Sequence, residues 1–212
     1  MNPVDSFQAA RLYGILDMGY CRPEKAKPVL REMIEGGIDV VQLRAKNSKL
    51  NEIRDLATRL IPICREAGVP FVVNDFARIA AEIGADAVHV GQDDAEMDRV
   101  REIVGDDMNV GRSTHSLEQA AAAAEDSRTN YIGFGPLFST PTKPEYKPIG
   151  TEEIQKVHEN HPNLPIFCIG GIKLENVDEV IAAGAKRVVI VSGILQATDI
   201  AAYVGAVQAK LA

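Results

Sequence analysis

The sequence predicts an α/β fold, a single (β/α)8 TIM barrel spanning residues 1–212. Three observations predict it. Short apolar runs alternate with amphipathic segments from one end of the chain to the other. The apolar runs are hydrophobic throughout rather than alternating, as parallel strands covered on both faces are. Eight strand–helix units fit within 212 residues, which is the size of a closed barrel.

The units follow in order. LYGILD (12–17) is strand-like, and PEKAKPVLREMIEGG after it is helix-like and ends in glycine. DVVQLRA (39–45) leads into NSKLNEIRDLATRLIPICREAG. There Leu50, Ile53, Leu56, Leu60 and Cys64 recur three or four apart, on one helix face. Pro62 inside that pattern is expected to kink the helix or loosen a turn. PFVVND (70–75) precedes FARIAAEIG, and AVHVG (87–91) precedes DDAEMDRVREIVG. NVGRST (109–114) precedes SLEQAAAAAEDS, and NYIGFGP (130–136) opens a long loop before TEEIQKVHENHP. PIFCIGG (165–171) with KLENVDEVIAAGA, then RVVIVSG (187–193) with DIAAYVGAVQAKLA, complete the set. An open doubly wound sheet is the alternative. The lack of GxGxxG after the first strand weakens a dinucleotide-binding version of it.

Composition narrows the function classes. Hydrophobic residues at 46% and charged residues at 25% are ordinary for a soluble globular chain. A net charge of −7 argues against a general nucleic-acid surface or an anionic-membrane anchor, but leaves room for a local phosphate pocket. Cys21, Cys64 and Cys168 lie far apart without metal-ligand spacing, which suits a reduced, cytoplasmic setting. MNPVDSFQAARLYG lacks the apolar core of a signal peptide, and no run approaches the roughly 18 apolar residues of a membrane span. No feature sets an oligomeric state.

In such a barrel the chemistry sits on the loops after the strands. The strand ends carry Gln42, Arg44 and Lys46; Asn74 and Asp75; His89, Gln92, Asp93 and Asp94; Ser113, Thr114 and His115. The loop GPLFSTPTKPEYKPIG (135–150) adds Thr140, Thr142 and Lys143. Its sixteen residues exceed the about 2–6 usual for such a connection. Each residue has a bland reading. Asp75, Asp93, Asp94 and Ser113 can cap helices, His89 can be a satisfied core histidine, and Gly170–Gly171 can be a tight turn. Their concurrence favours a site, because capping needs one small polar residue per loop. Asp75 and Asp94, on adjacent strands, can hold magnesium with positions left for phosphate oxygens. Arg44, Lys46 and Lys143 can neutralise a diphosphate. Backbone N–H groups in CIGGIKLEN and VVIVSGIL suit a monophosphate on the far side.

With these residues in place, the chain resembles the thiamine-phosphate synthase (thiamine-phosphate pyrophosphorylase) family. The matching pieces are VVQLRAKN, GVPFVVND, GADAVHVGQDD, GRSTHS, YIGFGPLFSTPTK, CIGGI and VVIVSGI, in the family's order across residues 12–195. The resemblance implies transfer of a pyrimidine unit from 4-amino-5-hydroxymethyl-2-methylpyrimidine diphosphate to 4-methyl-5-(2-hydroxyethyl)thiazole phosphate. Diphosphate is released in a dissociative, magnesium-assisted substitution. It implies Asp75 and Asp94 as magnesium ligands, with Asp93 the lesser candidate. It assigns Arg44, Lys46, Asn74, Ser113 and Lys143 to the diphosphate, and Gln42, with His89 nearby, to the pyrimidine. Thr140 and Thr142 go to the thiazole phosphate, with backbone around Gly171, Val191 and Ser192. One departure stands out: Phe76 takes a position where many relatives carry a second aspartate. A thiazole tautomerase, kept open by His115, a sugar-phosphate barrel enzyme and a non-catalytic binding protein are the rival readings.

Overall fold

The computed structural model of the chain describes residues 3–92, 96–140 and 146–212. Among these, the strands are β1 (Leu12–Asp17), β2 (Val40–Arg44), β3 (Phe71–Asn74), β4 (Ala87–Val90), β5 (Asn109–Thr114), β6 (Tyr131–Phe134), β7 (Ile166–Cys168) and β8 (Val188–Ile190). They form a closed parallel barrel in sequence order. β8 returns to β1 through the pairs Leu12 with Val188 and Gly14 with Ile190. Closure rules out the open doubly wound sheet. The helices are α1 (Pro3–Ala9), α2 (Ala26–Glu35), α3 (Leu50–Ala67), α4 (Ala77–Ile83), α5 (Met97–Val104), α6 (Leu117–Glu125), α7 (Ile154–Asn160), α8 (Val177–Ala182), α9 (Ser192–Leu195) and α10 (Ile200–Leu211).

The unbroken apolar character of the strands follows from this closure. Successive side chains point to opposite faces. Leu12, Leu16, Val41, Leu43, Val73 and Val88 belong to the larger core, which includes Leu30, Met33, Ile53 and Leu60 of the helices. Tyr13, Ile15, Val40, Val72, Ala87, Tyr131, Phe167 and Val189 form a second cluster inside the barrel. Aromatic rings dominate its interior. Tyr13 meets Phe167 edge-on at 5.3 Å, and Tyr131 meets it at 5.8 Å. Gly111 makes room for them: a Cβ there would lie 2.1 Å from Cζ of Tyr131.

α1 has no counterpart in the sequence expectation. Seven residues are too few to show a helical period, and so short a helix depends on tertiary packing. Phe7 supplies that packing: its ring stacks on Tyr131 at 4.7 Å and closes the N-terminal end of the barrel. α3 runs unbroken through Pro62. Pro62 is exposed, so the carbonyl one turn earlier that loses its donor faces water. The last two strands are shorter than expected. RVVIVSG holds only Val188–Ile190 as strand, and Ser192 already begins α9.

Helix ends are well specified elsewhere. Ser116 Oγ accepts the Gln119 N–H of α6 at 3.2 Å, while Gln119 Oε1 accepts the His115 N–H at 2.8 Å. α3 and α4 end in left-handed Gly68 and Gly84. The three cysteines are buried free thiols, and burial pushes Cys64 and Cys168 up to about 12.

His158 of α7 is buried, and its Nε2 has no hydrogen-bond partner among the described residues. Burial, aided by Lys186 and Arg187, pushes its pKa down to about 4. The native state therefore holds a neutral imidazole where the unfolded chain binds a proton below about 6.5. Its contribution to stability is complete above that pH and is lost as pH falls toward 4. Urea unfolding across this window is expected to show a shallower loss of stability for His158→Leu than for the parent.

Candidate functional site

The alternation that sends Val40 into the barrel also sends Gln42 and Arg44 inward, toward the C-terminal mouth. Parallel register places neighbouring strand ends side by side, with Asp17 opposite Arg44, Asn74 opposite His89, and Ser113 opposite Gly133. Gln42, Arg44, Asn74, Ser113, Thr140 and Val191 line one cavity with His89 and His115. Its deep walls are apolar, from Ile15, Phe167, Ile169 and Val189.

Gln42 is buried, and its Nε2 donates to Tyr13 Oη at 2.7 Å. Tyr13 Oη lies 3.3 Å from Tyr131 Oη, and burial raises the pKa of both phenols, so they stay protonated. This bond fixes the orientation of the amide and leaves its oxygen available as an acceptor. Asn74 is also buried, and its Nδ2 has no hydrogen-bond partner among the described residues. An unsatisfied donor in such a cavity suits an anionic oxygen.

The cations stand beside carboxylates. Arg44 forms an ion pair with Asp17, whose side chain is only 5% exposed. Asp17 Oδ1 also accepts the Gly19 N–H at 2.7 Å. Lys46 Nζ lies 3.4 Å from Asp75 Oδ2. Asp75 is the only non-glycine residue with a positive φ, 64°, among the described residues. Its N–H donates to the His89 carbonyl at 2.8 Å, which helps hold this turn. α4 starts after Phe76, which makes no side-chain cap bond. Asp75 thus presents a carboxylate to a cation, here the ammonium of Lys46.

That geometry suits the hard oxygen ligation of magnesium. No group of three or more His, Cys, Asp or Glu side chains gathers among the described residues. Among the described residues Asp75 is the one proposed magnesium ligand. Asp93, Asp94, Thr142 and Lys143 lie outside the described residues.

Ser113 is not the cap of α6, since Ser116 takes that role. Its Oγ is 3.0 Å from His89 Nε2, and its carbonyl accepts Gln92 Nε2. His115 Nδ1 donates to the Gly135 carbonyl, and its ring lies 4.4 Å from that of Tyr146. It thereby touches both the outgoing and the returning arm of the long loop. The base of that loop is laced to the turn after β7: Leu137 N–H donates to Ile169 O at 2.8 Å, and Phe138 N–H to Gly170 O at 3.0 Å. Gly171, at φ 68°, lies under it. A Cβ there would come within 2.6 Å of Phe138 Cβ, so the turn needs glycine twice over. Phe76 packs against the core as a partly buried hydrophobic residue.

Sequence reading passed over Asp17, Tyr13 and Tyr131. Asp17 carried a signal, as an acid at the end of an otherwise apolar strand. The tyrosines looked like core, and their hydroxyl chain appears only once the barrel closes.

A (β/α)8 barrel with polar and charged side chains at its C-terminal mouth above an apolar cavity is the arrangement of an enzyme for small molecules. Comparison with known proteins is more specific. Residues 12–194 match the family model described as thiamine monophosphate synthase, and the chain belongs to that family. The thiamine-phosphate synthase of Pelotomaculum thermopropionicum is 44% identical over 201 residues, 94% of this chain and 91% of that one. That of Shouchella clausii is 41% identical, covering 91% of each chain. The solved thiamine phosphate pyrophosphorylase of Pyrococcus furiosus superposes with a TM-score of 0.85 at 27% identity, covering 99% of this chain and 96% of that one. A tryptophan synthase structure from Mycobacterium tuberculosis, at 17% identity and a TM-score of 0.71, shares the fold.

Asp17→Asn keeps an acceptor for Gly19 but leaves the mostly buried Arg44 without its counter-charge. The expected loss is about 3 kcal/mol in urea unfolding. Asp17→Asn with Arg44→Met should cost less than the two single changes added, a coupling that a double-mutant cycle reads directly.

Proposed function

We propose that this chain joins 4-amino-5-hydroxymethyl-2-methylpyrimidine diphosphate to 4-methyl-5-(2-hydroxyethyl)thiazole phosphate in thiamine biosynthesis, releasing diphosphate and forming thiamine phosphate. The observation that carries this reading is the pairing of an apolar cavity with a cationic rim in a member of this family. The thiazole nitrogen already holds the lone pair that forms the new carbon–nitrogen bond, so a strong general base is not required. The carbon–oxygen bond to diphosphate breaks, and its electron pair leaves with the diphosphate. The demand on the protein is to stabilise that charge and keep water from the electron-poor methylene carbon.

The residues divide this work. Arg44, Lys46 and Lys143 act on the departing diphosphate, and Asn74 and Ser113 donate hydrogen bonds to its oxygens. Gln42, held by Tyr13, accepts from the amino group of the pyrimidine. Ile15, Phe167, Ile169 and Val189 make the reacting region poor in water. Thr140 and Thr142, with backbone around Gly171, Val191 and Ser192, hold the thiazole phosphate. Asp75 and Asp94 hold magnesium. Bound there, magnesium supplies further positive charge against the diphosphate oxygens. The pairing of Lys46 with Asp75 supports this, since it sets a cation beside one proposed ligand. The buried free thiols support a reducing, cytoplasmic workplace. Among the described residues no helix is long and apolar enough to cross a membrane.

Incubation of the purified chain with both substrates and magnesium should release diphosphate and yield thiamine phosphate. Failure to form either product would overturn the reading. Asp75→Ala is expected to remove magnesium-dependent turnover by a factor on the order of a hundred or more while thermal unfolding changes little. Lys143→Ala should raise KM for the pyrimidine diphosphate about tenfold, in line with loss of one charge-assisted contact. Steady-state kinetics with each substrate varied in turn measures both.

A further inference from the structure

We infer that Tyr203, on α10, is a positioning residue that aligns the two loops holding the thiazole phosphate; the inference rests on the reaction proposed above. Those loops follow different strands and are poorly tied by the barrel itself. β7 and β8 share a single registered pair, Cys168 with Val188, against five pairs between β1 and β2. The backbone around Gly171 and that around Ser192 therefore need another link to keep one spacing.

Tyr203 supplies it from behind. Its Oη accepts the Leu174 N–H at 2.7 Å, in the loop after β7. The Leu174 turn is bound back to Gly171 through Asn176, whose Oδ1 accepts the Lys173 N–H at 2.7 Å and whose Nδ2 donates to the Gly171 carbonyl at 3.1 Å. On its other side the same hydroxyl abuts Gly193, next to Ser192. A Cβ at Gly193 would lie 2.3 Å from Tyr203 Oη and 3.0 Å from its Cζ. One phenol thus hydrogen-bonds one phosphate loop and sets the approach distance of the other. Tyr203 lines the cavity behind these loops with Ser192 and Gly193, while their neighbours Gly170 and Val191 line the reaction cavity, so its influence on substrate passes through the backbone of the two loops.

Tyr203→Phe in the full chain tests this. The ring is kept, but the Leu174 N–H loses its acceptor. The expected result is a rise of about tenfold in both KM and the calorimetric Kd for the thiazole phosphate. Turnover at saturation and KM for the pyrimidine diphosphate should stay within about twofold, since Tyr203 does not line the reaction cavity. Gly193→Ala, which drives a methyl group against Tyr203 Oη, should move the same parameter in the same direction, and stands in if Tyr203→Phe does not fold. Unchanged affinity for the thiazole phosphate, or equal losses for both substrates, would overturn the positioning role. A parent chain that binds the thiazole phosphate but forms no thiamine phosphate would overturn the reaction and leave the role of Tyr203 to be judged by Kd. A parent that binds no thiazole phosphate would remove both.

Discussion

The hydrogen bonding of β8 back to β1 is the constraint on which the rest depends. An open sheet would leave two unpaired edges. Closure turns one face of every strand inward and brings all the C-terminal ends to one mouth. Gln42, Asn74, His89 and Ser113, far apart in the chain, become neighbours only because of it. It also explains why the strands carry apolar residues on both faces. One face packs on helices, and the other fills the interior with Tyr13, Tyr131 and Phe167.

The mouth is organised around charges that are already partnered. Arg44 leans on Asp17, and Lys46 on Asp75. These contacts are not equivalent. The Arg44 pair is largely withdrawn from water, whereas the Lys46 side chain is 39% exposed and held at a longer distance. The first therefore fixes geometry, and the second is weak enough for a ligand to rearrange. Asp75, in its left-handed turn, is the piece whose backbone is most committed to a single orientation.

Much of this was legible in the sequence. Eight apolar runs gave the barrel, and β1 and β5 match the runs 12–17 and 109–114 residue for residue. The polar strand ends pointed to the residues that share the cavity. What stayed hidden was long-range. Asp17 matters because register sets it opposite Arg44, and register between parallel strands cannot be read from either strand alone. Tyr13 and Tyr131 lie 118 residues apart and meet only inside the closed barrel. α1 was missed because a single ring, Phe7, anchors it rather than a periodic stripe. Pro62 lies off the face marked by Leu50, Ile53, Leu56, Leu60 and Cys64, and the helix continues past it with that residue exposed.

Phe7 has a consequence for traffic through the molecule. By stacking on Tyr131 it stoppers the barrel at the end away from the mouth, and Tyr13 and Phe167 thicken the floor above it. The chamber is a cul-de-sac rather than a tunnel. Entry and exit therefore share the mouth that Arg44 and Asn74 line.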